Sequence, residues 1–504
     1  MRRGSITVFA ALSMMLVASF LFALLESARV YGLDSYAEMK THLGVVSASA
    51  EYQPLLWEQY HLLMLDGAYG TGDFSMDRVS QHMTEDINKS MTWEDSILNW
   101  FWTDFFSLEI ETVEPLEYQL VTDGDGTVFL NQIASVMKEN LPIHIAEEIY
   151  NSYQEGKEMV EENGDISGDS IEQAEQALQE AREQESTLEG ESGTNTESVD
   201  EETVEATVQI EENPLEVVRE VKQNAVLSLV LEDVGTVSTF KIDTTDLLEN
   251  RDCMEGTMAL SETTDWYRKL LVLEYLDSYY SCYTDTLEGH SMMYELEYLL
   301  HGAQSEKENL ESAINRILLI REAANVTYIL QDKEKMELAD ALAELIGGFS
   351  GNPGVVMLVK IAIVGAWAFL ESVLDARTLL SGGKIALLKS ESEWTTDVGN
   401  LLASFQENAK AKNCENGFTY QDYLKQQLFF LNDSKLAFRM MDVMEQNLRN
   451  NTEYKNCKMD HMIVAMRYQC TYTEEPFFSR MSVVGKLTAQ KWYFEKEQYF
   501  SYVP

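Results

Sequence analysis

Seven histidines, five cysteines and a large excess of carboxylates are the side chains here that could do acid–base, nucleophilic or metal chemistry. The histidines are His42, His61, His82, His144, His290, His301 and His461, and none forms HExxH or a His–Cys ligand spacing. No CxxC pair is present, so the usual spacing of a tetrahedral zinc site is missing. There is no GxSxG elbow, no Walker loop and no GxGxxG turn. Asp123-Gly124-Asp125-Gly126 has some of the residues of a calcium loop. Its ligand spacing is wrong, with Gly126 too early and no glutamate twelve residues on, so it reads as a turn and helix N-cap. Carboxylate pairs such as Glu295 and Glu297 are so common in this chain that a solvated face is the default expectation for them. No residue is assigned a catalytic, cofactor-binding or metal-binding role, and no cofactor is expected.

The cysteines are Cys253, Cys282, Cys414, Cys457 and Cys470. Cys457 and Cys470 flank one apolar segment and are the best candidates for a disulfide. The alternative is five buried or free thiols.

The elements that must carry these residues begin with an apolar run. Arg2 and Arg3 are followed by ITVFAALSMMLVASFLFALL, Ile6 to Leu25, without one charge. About 20 apolar residues at 1.5 Å rise match a hydrocarbon core of ~30 Å, and in lipid a helix satisfies its own backbone. The two arginines favour the cytoplasmic side, which places everything after Glu26 outside. A cleaved signal peptide has a shorter apolar region and a small-x-small site, whereas Glu26-Ser27-Ala28 puts a charge there. The expectation is therefore an uncleaved anchor.

Net charge is −48, with 85 acidic against 37 basic residues. That excludes nucleic acid as a natural partner and a basic grip on anionic lipid, so contact with a membrane must be hydrophobic. Hydrophobic residues make up 45%, enough for a folded body in a chain of 504 residues.

Beyond Leu25 the helix is expected to continue to Pro54, which kinks or restarts it. Leu43, Val46, Ala50, Leu55, Leu56, Tyr60, Leu63 and Met64 recur near helical spacing. Trp93, Trp100, Phe101, Trp102, Phe105 and Phe106 form an aromatic stretch that reads as core, with a membrane-interface belt as the other possibility. Ser107 to Thr122 alternates around Pro115 and reads as an edge strand or two short ones. Glu155 to Asn213 is acidic, lacks aromatics and reads as a disordered insertion, though Ser170 to Glu189 is helix-competent. AVLSLVLEDV reads as a short buried strand or helix end, and Thr236 to Asp243 as a strand. Thr263 to Gln331, Met336 to Ile346 and Asp397 to Asn450 carry helical patterns. Val355 to Leu374 is long enough for a second span, but Lys360 inside it favours a core helix, hairpinned on Met336 to Ile346. MIVAMRYQCTYT and KWYFEKEQYFSY alternate as an antiparallel strand pair.

Arg3-Gly4-Ser5-Ile6-Thr7-Val8-Phe9-Ala10, leading into an apolar helix that ends in Glu26-Ser27-Ala28-Arg29-Val30, resembles the start of TadE/TadG-like pseudopilins of the tight-adherence (Tad, Flp) pilus system. YHLLMLDGAYG, EYLLHG with KENLESAINRILLIREAAN, and AWAFLESVLDARTLLSGGKIALLK resemble an uncharacterised family encoded beside Tad-type genes in Gram-positive bacteria. The resemblance implies a surface-facing component of a pilus or secretion apparatus, with other Tad-type proteins as partners. It also implies a possible peptidase cut between Gly4 and Ser5. The chain departs from the pseudopilin pattern in having Phe9 where the mature fifth residue is a glutamate.

The expected fold is α+β and mostly α: an N-terminal transmembrane, pilin-like helix, then a large helix-rich extracytoplasmic body with a few antiparallel strands. The expected segments are a cytoplasmic N-terminus 1–5, a transmembrane helix 6–28, a stem and first part of the body 29–154, the acidic insertion 155–213, a helical body 214–456 and a β-containing end 457–504. The expected protein is a single-pass cell-membrane structural or assembly component, not an enzyme, held in the lipid bilayer through Ile6 to Leu25. An exported membrane-anchored enzyme such as a cell-wall hydrolase is the alternative.

Overall fold

The computed structural model describes the chain apart from residues 1–2, 92–107, 164–165, 190–212, 244–245, 261–264, 399–408, 479–489 and 504. The aromatic stretch from Trp93 to Phe106 lies outside the described residues. In chain order the elements are helices α1 (Arg3–Ser49) and α2 (Pro54–Tyr60), strand β1 (Leu65–Asp66), α3 (Met76–Met91), strand β2 (Glu109–Leu120), α4 (Thr127–Met137), α5 (Ile143–Asn163), α6 (Ile166–Glu189), α7 (Pro214–Lys222), α8 (Val226–Val230), α9 (Trp266–Tyr279), α10 (Glu295–His301), α11 (Glu306–Gln331), α12 (Lys333–Gly347), α13 (Pro353–Leu380), α14 (Tyr420–Phe429) and α15 (Asp433–Asn450), then strands β3 (Met462–Glu474) and β4 (Trp492–Ser501). This is an α+β fold, mostly α, in which a long apolar N-terminal helix precedes a helix-rich body.

Helix starts follow local chemistry. Pro54, Pro214 and Pro353 each open a helix, where a missing N–H costs nothing. Gln53, Asn213 and Asn352 accept N–H groups of the first turn in front of them. Asp265 caps α9, and Thr419 with Asp422 forms a reciprocal capping box at α14.

The chain forms two compact units that interleave in sequence. The first holds Met1–Val136, Leu248–Thr264 and Met440–Pro504; the second holds Met137–Leu247 and Asp265–Arg439.

In the first unit β3 is the central strand of an antiparallel sheet, with β2 along one edge and β1 and then β4 along the other. The pairing of β3 with β4 realises the two alternating segments near the C-terminus. β2 runs as one strand through Pro115, with a register shift between Pro115 and Glu117; proline has no N–H to give the ladder, so it tolerates only such an edge. Leu33, Ala37, Val45 and Ala48 of α1 pack with Val79, Met83 and Ile87 of α3 against Tyr468, Cys470, Tyr472 and Phe494 of the sheet. A Cβ on Gly44 would stand 2.6 Å from Ile87 Cδ1, so glycine lets α1 and α3 approach this closely. The buried face of α1 differs from the expected one: Leu43 and Val46 point outward. The residues that do face inward are mostly small, because sheet and α3 come close.

The second unit is helical and centred on α13. Residues Ala362 to Ala376 of α13 are all buried, with α6, α11 and α12 packed around it. The second apolar run is thus a core helix, and Lys360 finds Asp340 of α12 at 2.6 Å across the expected hairpin.

The acidic stretch needs correction. It is not disordered throughout: α5 runs to Asn163, and α6 packs along α13 with Ile171, Ala174 and Leu178 buried. Glu, Gln and Ala are strong helix formers, and an apolar stripe at i, i+3, i+7 suffices to dock while the acids face water. Its remainder, 190–212, lies outside the described residues. Thr236 to Asp243 is also not a strand, since Lys241 makes only an isolated bridge to Ser305. AVLSLVLEDV contributes the short helix α8.

Candidate functional site

α1 changes character at Glu26. The apolar run before it is long enough to cross a membrane, and its most apolar stretch is wholly unburied. Phe9 and Leu16, for example, are 72% and 71% exposed. Glu26 then begins a buried stripe that continues through Arg29, Leu33, Ala37, Lys40, Thr41 and Gly44 to Ala48. Steps of three and four residues keep these positions on one helix face.

The junction is a sealed charge cluster. Arg29 Nη1 lies 3.2 Å from Glu26 Oε1, and Arg29 Nη2 lies 2.6 Å from Glu474 Oε1 at the end of β3. Arg29 also donates to the Glu475 carbonyl at 3.2 Å. The Glu26 carboxylate accepts the backbone N–H groups of Phe477 at 3.1 Å and Phe478 at 2.6 Å. The Arg29 guanidinium sits 5.7 Å from the Phe477 ring centre, and Phe478 stacks on Phe22, one turn back in the apolar run. Glu26, Arg29 and Glu474 are all nearly inaccessible. Charges this deep survive only when paired and hydrogen-bonded. What the arrangement does is lock the direction of the stem to the end of the sheet.

Gly4 and Ser5 lie in the first turn of α1, and their side chains are outside the described residues. The Cys457–Cys470 disulfide needs correction, since both are free thiols. Cys457 Sγ faces Gln53 and Asp66, whereas Cys470 lies in the core between α1 and the sheet, so the two occupy separate surroundings. Burial, with Asp66 alongside, pushes the Cys457 thiol well above its usual range. Asp123 turns to backbone, accepting N–H groups from Leu120 at 2.8 Å and Gly256 at 2.7 Å. Burial raises its pKa against those two bonds. The Gly124-Asp125-Gly126 turn has positive φ throughout, at 63°, 54° and 82°, and leads directly into α4.

Glu295 and Glu297 do not form a solvated face; both are completely buried. Glu295 accepts the Ser281 N–H at 2.8 Å and faces His290 Nδ1. Glu297 accepts the Tyr283 N–H at 2.9 Å and the Tyr420 hydroxyl at 2.8 Å. Burial pushes Glu297 up to about 7. Glu306, equally buried, accepts N–H groups from Met293 and Tyr294. These three carboxylates fasten the segment between α9 and α10 by its backbone donors.

A second charge cluster escaped the sequence reading because its members are far apart in the chain. Arg321 Nε meets Asp375 Oδ2 at 2.9 Å, and Lys389 meets Asp375 Oδ1 at 2.5 Å and also Glu371. Asn325 donates to Ser372 and Asp375, and Arg321 to the Ala386 and Leu387 carbonyls and the Tyr423 hydroxyl. Burial opposes ionisation of Asp375, yet Lys389 and Arg321 outweigh it and hold the carboxyl below its usual range. The available signal was a charge in mid-run: Arg321 in LLIREAAN, and Glu371 with Asp375 at i, i+4 in FLESVLDA.

Residues 204–474, more than half of the chain, match the model of a family of unknown function, DUF5702. The chain belongs to the DUF5702 family. No curated protein and no solved structure matches it. The DUF5702 segment contains the whole Arg321–Asp375–Lys389 cluster and β3 up to Glu474. The apolar run, Glu26 and Arg29 precede it. The cluster at the stem therefore joins the last residue of the DUF5702 segment to a helix outside it.

Proposed function

We propose that this DUF5702 chain is a single-pass, surface-facing structural or assembly component of a Tad-type pilus or secretion apparatus, with Ile6 to Leu25 in the cell membrane. One observation carries the reading: the charge-free run is exposed along its length, and burial of α1 begins at the first charge after it, Glu26. Such a run is unfavourable in water and self-sufficient in lipid. Arg2 and Arg3 favour an inside N-terminus and an outside body. The assignment to Tad-type machinery rests on the pseudopilin-like start and on the three later segments that resemble a Tad-linked family. A hydrolase would need an accessible carboxylate pair, and Glu295 and Glu297 give that reading no support, being sealed and bound to backbone donors.

The test is a deletion of this gene in its own host, with the pilin subunits of any Tad-type locus that host carries followed by immunoblot of sheared surface fibres. Loss of fibres with intracellular pilin retained supports an assembly role. Unchanged fibres, together with no cross-linking of this chain to any Tad-type protein, overturn it.

A further inference from the structure

The stem has a second feature that its role as an anchor does not require. At its foot the first unit presents aromatic side chains toward the level where the apolar run ends. Tyr31, Trp492 and Tyr493 are 75%, 40% and 61% exposed, and with Ser27, Val30 and Asp34 they line a shallow open cleft beside α1. Trp492 pairs with Glu474 in the β3–β4 ladder, and Glu474 holds Arg29, so the exposed start of β4 is level with Arg29. On the other side of the charge cluster, Phe478 stacks on Phe22, four residues inside Glu26. That is about 6 Å along the helix axis, on the hydrocarbon side of the run's end.

Depth along α1 orders these groups. From Leu25 to Tyr31 is six residues, about 9 Å, comparable with the ~5–8 Å of headgroup layer on one side of a bilayer. Tyrosine and tryptophan are the side chains that favour this layer, whereas phenylalanine is at home in the acyl region. Among the described residues nearby, Lys496 is bound to Asp34 at 2.9 Å, and Lys491 beside Trp492 is the exposed cation. One exposed cation in a chain of net charge −48 does not make attraction to anionic lipid the driving force.

We infer that the foot of the stem is an interfacial membrane-docking platform, in which Phe478 enters the acyl boundary beside Phe22 while Tyr31, Trp492 and Tyr493 sit among the headgroups. The inference rests on the reading of Ile6 to Leu25 as a membrane span. The platform fixes the depth of the first unit, and the Glu26–Arg29–Glu474 cluster fixes its angle to the stem. A span alone would leave the unit free to swivel above the bilayer.

The test uses the full chain reconstituted in phosphatidylcholine vesicles that carry nitroxide-labelled lipid. A Cys253→Ser background leaves four buried thiols. A bimane fluorophore is placed singly at Leu16→Cys, Phe478→Cys, Tyr493→Cys and His42→Cys. Leu16 reports the span, and His42, exposed on the same helix about 25 Å beyond Leu25, reports the aqueous side. The Phe478→Cys change keeps the backbone N–H that Glu26 uses. The platform predicts quenching at Phe478 by acyl-chain nitroxide to at least about half the Leu16 level, and quenching at Tyr493 by headgroup nitroxide at least about threefold above His42, both unchanged in 0.5 M salt, at which ionic attraction is screened beyond ~4 Å. A Trp492→Asp change, at an exposed strand start, is expected to lower the Phe478 signal about threefold. Strong quenching at Leu16 with Phe478 and Tyr493 no higher than His42 overturns the platform and leaves the span standing. Absence of quenching at Leu16 overturns both.

Discussion

Arg29 of α1 and Glu474 at the end of β3 lie 445 positions apart in sequence and 2.6 Å apart in space, both sealed from solvent. Between them they tie the helix that carries the exposed apolar run to the central strand of the sheet. A buried pair of this kind adds little net stability over an apolar substitute, yet loss of one partner is costly because the other charge remains. Arg29→Met is therefore expected to lower the unfolding free energy by about 3–5 kcal/mol. The Arg29→Met/Glu474→Leu double variant should recover more than about 1 kcal/mol of the summed loss, as coupled neighbours do. Urea denaturation of Arg29→Met, Glu474→Leu and the double variant measures this, and strict additivity would show that the two side chains act independently.

Glu297 gives a pH signature. Its folded pKa, about 7, stands above the ordinary 4.5 because the group is buried. A raised carboxyl pKa means that the folded state holds the proton more tightly. The associated stability is complete below the ordinary value and is lost as pH rises through about 7. Glu297→Gln keeps the neutral shape and the acceptor for Tyr283 and Tyr420. Its Tm should match the parent near pH 4.5 and exceed it by a few degrees at pH 8. A constant difference at both pH values would contradict the assignment.

Asp375 has the opposite sign. Lys389 and Arg321 hold it below the ordinary carboxylate range despite its burial, so its contribution is present above that range and disappears as pH falls through the folded value. Asp375→Asn leaves Arg321 facing a neutral amide and Lys389 with Glu371 alone. The expected cost at pH 7 is about 3–5 kcal/mol, shrinking toward pH 3. Scanning calorimetry at the two pH values compares them, and a cost independent of pH would mean that shape, not charge, matters there.

Helix α6 shows what the sequence hid. Composition made Glu155 to Asn213 look like one solvated insertion, because acidic density dominates any windowed average. The three residues that dock α6, Ile171, Ala174 and Leu178, are few and partly small, and their partner α13 lies about two hundred positions away. Leu178→Asp should destabilise the second unit by about 2–4 kcal/mol, within the range for losing a buried leucine to a polar group. A chain with unchanged hydrogen-exchange protection in α13 would show that α6 contributes nothing to the core.

Local patterns were legible where one face or one terminus decides the outcome. The β3–β4 pair, the restart at Pro54, the hairpin of α13 on α12 and the apolar run all follow from spacing and capping. Long-range pairing was not legible. Glu26 and Arg29 read as the end of a hydrophobic run, and nothing in their neighbourhood announces Glu474. Glu295 and Glu297 read as part of a solvated face, yet the backbone donors that meet them in the interior come from Ser281 and Tyr283. Cys457 and Cys470 flank one segment, but the strand carries Cys470 into the core between α1 and the sheet, away from Cys457.

The central claim is that Ile6 to Leu25 crosses the cell membrane with the chain beyond Glu26 outside, and an impermeant maleimide on intact cells tests it most directly. His42→Cys reports the first unit and Glu308→Cys the second, each an exposed position, in the Cys253→Ser background. Both cysteines should react fully before lysis, on chain that stays in the carbonate-washed membrane pellet. Reaction at either position only after lysis would contradict the account.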